Sequence, residues 1–267
     1  MRRMLLAARF GAIAAIFVVL ALLGLNASAQ ESVFKYPPND RSRPQPHVIT
    51  PGGCSMQASV RRPPSDATIL FNGKDLSDWK SIKGGSAPWK AQDGYFEVVP
   101  GTGDIETRQS FKDFQLHVEW TTPAPPHGED QNRGNSGIYL QGLYEIQVLD
   151  SFHSKTYPDG QAGAVYGEYP PLVNASCPPG QWQTYDIIFR APRFMPNGNL
   201  LRPARVTVIQ NGVLVQDNVA ITGPTRVHDG KRPPYPPGVS QGPLRLQDHH
   251  HPVRYRNIWM RELGAGE

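Results

Sequence analysis

Residues 135–150 read NSGIYLQGLYEIQVLD, and this stretch decides the fold class. Gly137 and Gly142 interrupt two runs of β-branched and aromatic residues, so the sequence predicts two β-strands joined by a tight turn at Gln141-Gly142. Side chains alternate between the two faces of a strand. The second strand therefore has an apolar face (Tyr144, Ile146, Val148) and a polar face (Glu145, Gln147).

Short alternating segments of the same kind recur along the chain. No amphipathic helix of ten or more residues is predicted after residue 29. The predicted strands cover 68–71, 89–91, 95–99, 114–120, 182–189, 204–210, 212–216, 244–247 and 253–261, with turn signals at Asp93-Gly94 and Asn211-Gly212. Many short strands with Gly, Pro and Asn turns favour an all-β sandwich or barrel, and the length of about two hundred residues suits a larger jelly roll. The first and last strands are expected to pair.

The amino terminus resembles an export signal. Positive charges precede an apolar run at 11–25, and Ala27-Ser28-Ala29 has the small-residue pattern of a cleavage site. The apolar run is short for a membrane span. We therefore interpret residues 1–29 as a signal peptide cleaved after Ala29, which predicts an exported protein, periplasmic or extracellular, with no membrane span after cleavage.

The net charge excludes one class of partner. The chain has 27 Lys and Arg against 23 Asp and Glu, but Arg2, Arg3 and Arg9 belong to the predicted leader and their removal leaves 24 against 23. No block of basic residues remains that would indicate nucleic-acid binding.

Residues 30–66 are rich in proline and poor in apolar periodicity, so we interpret them as a linker or extended arm before a folded domain at 67–267. The two cysteines, Cys54 and Cys177, could pair in an oxidising compartment and tie this segment to the domain. The alternative is two unrelated thiols.

A polar face recurs on several predicted strands. Alternation directs three pairs of polar side chains away from the core: His117 and Glu119, Glu145 and Gln147, Arg245 and Gln247. Carboxylates, amides and arginine beside Trp and Tyr are suited to bind sugar hydroxyls, because they offer planar hydrogen-bonding groups next to stacking surfaces. A curved sheet would make this face a groove, whereas the alternative is an ordinary solvated sheet.

Three histidines, 249–251, follow the strand at 244–247. Consecutive strand residues point to opposite faces, so all three could ligate one metal ion only from a loop. His249 with Asp248 as its orienting neighbour is the more economical interpretation. Asp150, five residues after Glu145, would share its face only if the strand ended by Leu149, and Asp150 could instead cap a turn.

Six segments are informative together: FNGKDLSDW at 71–79, FQLHVEW at 114–120, NSGIYL at 135–140, YEIQVLDS at 144–151, LQDH at 246–249 and RYRNIW at 254–259. In this order they resemble the DUF1080 family, also called 3-keto-disaccharide hydrolase, which has a concanavalin A-like jelly roll. The resemblance covers about residues 67–264 and departs at His250-His251, where Gly and a polar residue are expected.

The resemblance implies an enzyme that acts on glycosides oxidised to a ketone at C3 of the sugar. The ketone acidifies the C2 proton, a base removes it, the C1 substituent leaves, and water adds back. A conventional jelly-roll glucanase instead carries Glu-x-Asp-x-x-Glu on its catalytic strand, whereas residues 145–150 read EIQVLD. A conventional glycoside hydrolase and a non-catalytic carbohydrate-binding module remain the alternatives.

These arguments give a set of candidate site residues. Glu145, Asp150 and His249 are predicted to transfer protons, or to hold a divalent metal ion if one is present. The predicted substrate-binding residues are Glu119, Gln147, Arg108, Arg133, Asn135, Tyr139, Arg245 and Gln247.

Overall fold

A computed structural model of the chain describes residues 35–52, 54, 62–225 and 232–264. Residues from Pro38 onward belong to one compact unit, Pro38–Glu267, and the residues before them belong to a second unit, Met1–Pro37. The predicted signal peptide lies outside the described residues. Within the described ranges, no helix has the length and apolar character needed to cross a membrane.

The regular secondary structure of the described residues is almost entirely β-strand, with short 3₁₀ helices at Asp130–Asn132 and Pro158–Gly160. The strands are β1 (His47–Val48), β2 (Thr68–Phe71), β3 (Trp79–Ser81), β4 (Lys90–Gln92), β5 (Tyr95–Glu97), β6 (Ile105–Phe111), β7 (Phe114–Thr121), β8 (Ser136–Leu140), β9 (Tyr144–Val148), β10 (Val173–Asn174), β11 (Gln183–Arg190), β12 (Arg193–Phe194), β13 (Leu200–Arg202), β14 (Arg205–Gln210), β15 (Val213–Ala220), β16 (Gly242–Leu246) and β17 (Arg254–Glu262).

Two antiparallel sheets form a jelly-roll sandwich, which confirms the predicted fold class. The larger sheet has the order β15-β14-β11-β7-β17-β5-β4, with β2 also paired to β17, and the smaller has the order β3-β6-β16-β8-β9. The expected pairing of the first and last domain strands is confirmed, because Phe71 of β2 lies opposite Ile258 of β17.

The core lies between the two sheets. Alternate residues of β7, including Leu116 and Val118, and of β9, including Ile146, belong to one buried cluster. The rings of Tyr144 on β9 and Phe189 on β11 pack 5.7 Å apart across the two sheets. This packing directs Tyr144, Ile146 and Val148 inward and leaves Glu145 and Gln147 on the outer face, as alternation predicts.

The hairpin turns form where the sequence predicts them. Gln141 and Gly142 have φ values of 54° and 67° between β8 and β9, and Asn211 and Gly212 have 52° and 82° between β14 and β15. These left-handed conformations are the ones that Gly and Asn tolerate best, so the turn residues help to set the strand register.

One prediction about the polar face is wrong. β7, with His117 and Glu119, belongs to the larger sheet, whereas β9 and β16 belong to the smaller one. Alternation identifies the face of a strand but not the sheet that the strand joins, so Glu119 lies on the opposite outer surface from Glu145.

Within the predicted arm, residues 38–52 pack along the domain. β1 pairs in parallel with β10, and Gln45 donates a 2.9 Å hydrogen bond to the Thr156 carbonyl. A disulfide joins Cys54 to Cys177 across 123 residues of sequence, with 5.4 Å between the Cα atoms. In the chain-entropy account, closing a loop of that length stabilises the fold by about 5 kcal/mol.

Candidate active site

A polar pocket of about 280 Å³ opens on the outer face of the smaller sheet. β8, β9 and the segment after β16 each contribute side chains, because these strands are neighbours in that sheet. Loops and the arm supply the remaining walls. The lining residues are Asn39, Gln131, Asn135, Tyr139, Glu145, Gln147, Tyr166, Thr225, Gln247 and His249.

Glu145 is the sole carboxylate among the described residues that line this pocket, and it is almost completely buried. Burial raises the pKa of Glu145 to about 7, although a hydrogen bond from Tyr139 and the charge of Arg232 oppose the increase. The Tyr139 hydroxyl donates to Glu145 Oε2 over 2.8 Å. A carboxyl group with a pKa near neutrality can both accept and return a proton during turnover.

Gly137 leaves space for this carboxylate. It lies opposite Gln147 in the β8–β9 pairing, and a Cβ atom at position 137 would be 2.5 Å from Glu145 Oε1. The absence of a side chain at position 137 therefore allows the Glu145 head group to lie over β8.

Tyr139 and Gln247 extend the polar network from Glu145. Gln247 Nε2 donates to the Tyr139 hydroxyl over 3.2 Å, and Tyr139 donates onward to Glu145. Burial and the neighbouring Glu145 raise the pKa of Tyr139 above its ordinary value. Tyr139 therefore stays protonated at neutral pH and acts as a hydrogen-bond donor.

Two amides of the pocket, Gln147 and Asn135, are held by one central residue, Gln131. Gln147 Nε2 donates to Gln131 Oε1 over 3.0 Å, and Asn135 Nδ2 donates to the Gln131 carbonyl over 2.8 Å. Gln131 Nε2 in turn donates to Thr156 Oγ1 over 2.8 Å. The pocket wall is thus ordered before any ligand enters.

Around the pocket, three amide oxygens and one imidazole nitrogen are buried without a hydrogen-bond partner among the described residues. They are Asn39 Oδ1, Asn135 Oδ1, Gln247 Oε1 and His249 Nδ1. Buried polar atoms are normally paired, and a set of unpaired acceptors suits a ligand that brings several hydroxyl donors.

His249 lies in the loop after β16 and lines the pocket. Burial lowers the pKa of His249, so its ring is neutral at pH 7. The rings of His249 and His251 stack 5.9 Å apart. Asp248 does not orient the His249 ring as expected, because its carboxylate accepts the backbone N–H groups of Gly103 and His250.

Asp150 does not line the pocket. β9 ends at Val148, and Asp150 lies buried in the following loop. Its Oδ2 accepts a 2.7 Å hydrogen bond from Arg133 Nε, and its Oδ1 accepts the Phe152 N–H at 3.2 Å. These are the contacts of a turn cap with a buried ion pair, so Arg133 and Asp150 are engaged with each other.

The possible metal set of Glu145, Asp150 and His249 is therefore not brought together. Across the described ranges, no group of three or more His, Cys, Asp or Glu side chains has an arrangement that could hold a metal ion.

The remaining predicted residues lie outside the pocket. Arg245 lines an adjoining cavity of about 310 Å³ that shares Tyr139 and Thr225 with it. Arg108 donates to the Ser77 carbonyl over 2.8 Å. Glu119, on the larger sheet, accepts hydrogen bonds from Arg256 at 2.6 Å and Asn257 at 2.8 Å.

A family model described as a 3-keto-alpha-glucoside-1,2-lyase-like domain matches residues 66–261. The chain belongs to this family. It is the 3-keto-disaccharide hydrolase (DUF1080) family that the sequence segments resemble.

Solved structures agree with this assignment. A candidate glycosyl hydrolase from Parabacteroides distasonis is 46% identical, and the match covers 83% of this chain and 93% of that one with a TM-score of 0.73. Two further candidate glycosyl hydrolases from the same organism share the fold. One is 23% identical, covering 74% of this chain and 94% of that one, with a TM-score of 0.54. The other is 21% identical, covering 74% and 99%, with a TM-score of 0.50. No curated protein matches significantly.

In this member of the 3-keto-disaccharide hydrolase family, several residues line the pocket that the sequence analysis does not predict. Asn39, Gln131, Tyr166 and Thr225 lie outside the β-strands. Arg232 also reaches the site, since its Nη1 donates to Thr225 Oγ1 over 3.2 Å. Strand periodicity carries no signal for such residues, because loops position them.

A larger cavity of about 630 Å³ lies at the larger sheet of this family member and includes Tyr95, Trp182 and Arg254. Arg254 is paired with Glu97 at 2.6 Å. Among the described residues, none of the predicted site residues lines it. The smaller pocket around Glu145 is therefore the candidate active site.

Proposed function

We propose that this chain is an enzyme that cleaves 3-keto-glycosides, including 3-keto-disaccharides, by removal of the C2 proton, elimination and hydration. The observation that carries the proposal is the single buried carboxyl group of Glu145, with a pKa of about 7, in a pocket lined by unpaired hydrogen-bond acceptors. Membership of a family described as 3-keto-alpha-glucoside-1,2-lyase-like supports it.

Ionised Glu145 would act as the base. It takes the C2 proton, the electron pair of that bond forms the enolate of the 3-ketone, and the enolate then expels the C1 oxygen. Protonated Glu145 can return the proton to the leaving oxygen. Water adds across the resulting C1–C2 double bond, with its hydroxyl at C1 and its proton at C2, which completes net hydrolysis.

Other pocket residues would bind and orient the sugar. The free acceptors of Asn135 and Gln247 and the neutral ring of His249 would accept hydrogen bonds from sugar hydroxyls. The C1 substituent would extend into the adjoining cavity, which is lined by Leu143 and several prolines beside Arg245. Binding of the hydroxyls and of the C1 substituent positions C2 next to the base. Such positioning is the source of much of the rate enhancement of an enzyme.

A conventional glycoside hydrolase is less well supported. Such enzymes need two carboxyl groups that flank the scissile bond. The described lining residues include Glu145 alone as a carboxylate, and Asp150 is held by Arg133. Elimination at a keto sugar requires only one residue that cycles its proton.

The test supplies the purified mature protein with a 3-keto-disaccharide and with its unoxidised parent, in deuterated water, with and without a chelator. Cleavage of the keto sugar alone, with deuterium appearing at C2 by NMR, is the expected result. Cleavage of the parent would instead indicate a conventional hydrolase, and binding without cleavage would indicate a carbohydrate-binding module. Loss of activity with chelator would indicate that a divalent metal ion takes part.

We also propose that the protein is exported. The predicted signal peptide over 1–29 and the Cys54–Cys177 disulfide support this, because disulfides persist in oxidising compartments. Fractionation of producing cells and amino-terminal sequencing of the mature chain test the proposal. Activity that remains in the cytoplasm with an intact amino terminus would refute it.

A further inference from the structure

The amino-terminal arm reaches the candidate active site, although it precedes the region that the family model matches. Asn39 lines the Glu145 pocket, and the family match begins at residue 66. The arm therefore adds a side chain to the site that the family domain itself does not supply.

The arm is anchored by a buried carboxylate. Asp159 is fully buried, and its Oδ2 accepts the Asn39 backbone N–H at 3.0 Å. The guanidinium of Arg43 lies 3.6 Å from the same oxygen and also donates to the Glu168 carbonyl over 3.0 Å. A buried carboxylate is costly unless it is paired, so the position of the arm at Asn39 is strongly favoured.

Further contacts hold the arm along its length. Ile49 donates its N–H to the Asn174 carbonyl over 3.0 Å, next to the β1–β10 pairing. The disulfide from Cys54 to Cys177 then fixes the arm covalently to the domain. Asn39 thus lies in a segment that several contacts hold against the domain.

Among the described residues, no contact gives the side chain of Asn39 a structural role. Its backbone has a φ of 65°, a left-handed conformation that Asn tolerates, and its Oδ1 is buried without a hydrogen-bond partner among those residues. An unpaired buried acceptor beside the candidate base is suited to receive a sugar hydroxyl.

We infer that Asn39 is a substrate-binding residue. The disulfide-fixed arm completes the sugar site, because it holds the carboxamide oxygen of Asn39 where that oxygen accepts a hydrogen bond from a substrate hydroxyl. This inference rests on the proposed function for the identity of the sugar.

The test variant is Asn39→Gly, because glycine keeps the left-handed backbone and the N–H bond to Asp159 while it removes the carboxamide. The matched control is Asn218→Gly, which changes another left-handed asparagine, with φ of 47°, on β15 of the larger sheet. KM and kcat are measured with a 3-keto-disaccharide, and Kd for the same sugar is measured by titration calorimetry.

Asn39→Gly should raise KM and Kd about 3- to 10-fold, as expected for one lost hydrogen bond, and should leave kcat within about twofold. Asn218→Gly should leave all three unchanged.

Unchanged KM and Kd in Asn39→Gly, with a wild type that cleaves the keto sugar, would overturn the inference and leave the proposed function intact. A wild type that binds the sugar without cleaving it would refute the proposed function, and Kd would still decide the role of Asn39. A wild type that neither binds nor cleaves it would overturn both.

Discussion

The Tyr139 hydroxyl donates a 2.8 Å hydrogen bond to Glu145 Oε2, and the two residues lie directly opposite each other in the β8–β9 pairing. Burial raises the pKa of Glu145, and this hydrogen bond stabilises its ionised form. The donor and the carboxylate are therefore a cross-strand pair whose geometry the sheet itself fixes.

Replacing Tyr139 with Phe should raise the pKa of Glu145 further, because the ionised carboxylate loses a donor. If Glu145 is the base, kcat/KM increases as pH rises through a midpoint near 7 in the wild type. In Tyr139→Phe the midpoint should move upward by about one pH unit, since a hydrogen bond to a charged group contributes about 1.5 kcal/mol. The pH profile of kcat/KM measures this, and a midpoint that moves downward would contradict it.

Glu145→Gln should lower kcat on a 3-keto-disaccharide about 10²- to 10⁴-fold, the usual contribution of a general base. Gln is close in size, so the fold and the sugar affinity should survive, as circular dichroism and calorimetry can check. The matched control, Glu97→Gln, changes a carboxylate of the larger sheet that pairs with Arg254. The kcat of Glu97→Gln should remain within about twofold of the wild-type value. If Glu145→Gln turned over the substrate as fast as the wild type, Glu145 would not be the base.

Glu145 should also reduce stability at alkaline pH. Its pKa in the folded state, about 7, is raised above its ordinary value of 4.5. Its favourable contribution to the free energy of unfolding is therefore fully present below pH 4.5. It is lost as pH rises through about 7, and the loss is on the order of 3 kcal/mol. Between pH 5 and pH 8.5, the free energy of unfolding of the wild type should therefore fall relative to that of Glu145→Gln. Parallel pH curves for the two proteins would argue against a buried ionised Glu145.

Arg133→Ala tests whether the buried pair with Asp150 serves structure. It leaves the Asp150 carboxylate buried and unpaired, so the free energy of unfolding should fall by about 3 to 5 kcal/mol in urea titrations. Arg261→Ala breaks an exposed pair with Asp66 and should cost less than about 1 kcal/mol. Asp150→Asn should retain kcat within about threefold, whereas a loss as large as that of Glu145→Gln would restore Asp150 as a catalytic residue.

The sequence predicts many of the strands and the hairpin turns, because each depends on local signals, but it predicts no strand at β3 or β6 of the smaller sheet. Alternation in 144–148 places Glu145 and Gln147 on one face, and Asn211-Gly212 marks its turn. The same rule cannot assign strands to sheets, and it therefore wrongly groups Glu119 with Glu145 although β7 lies in the other sheet. Sheet membership depends on long-range pairing.

Pocket residues outside the strands are harder to predict for a related reason. Gln131 lies in a 3₁₀ helix and Asn39 in a proline-rich segment that has no periodicity. Their positions depend on distant partners, such as the buried carboxylate of Asp159 for the arm. A strand pattern contains no information about such contacts, and only the folded chain reveals them.

Gly137→Ala should lower turnover while leaving the protein folded. The new Cβ would lie 2.5 Å from Glu145 Oε1, and the end of that side chain can move aside at less cost than the backbone of β8. The carboxylate would then lose its alignment with Tyr139, so kcat should fall at least tenfold and the pH midpoint of kcat/KM should shift. Gly52→Ala, where a Cβ meets nothing within 4 Å, is the control and should change neither quantity. Full activity in Gly137→Ala would mean that the position of the Glu145 carboxylate over β8 is not the one used in catalysis.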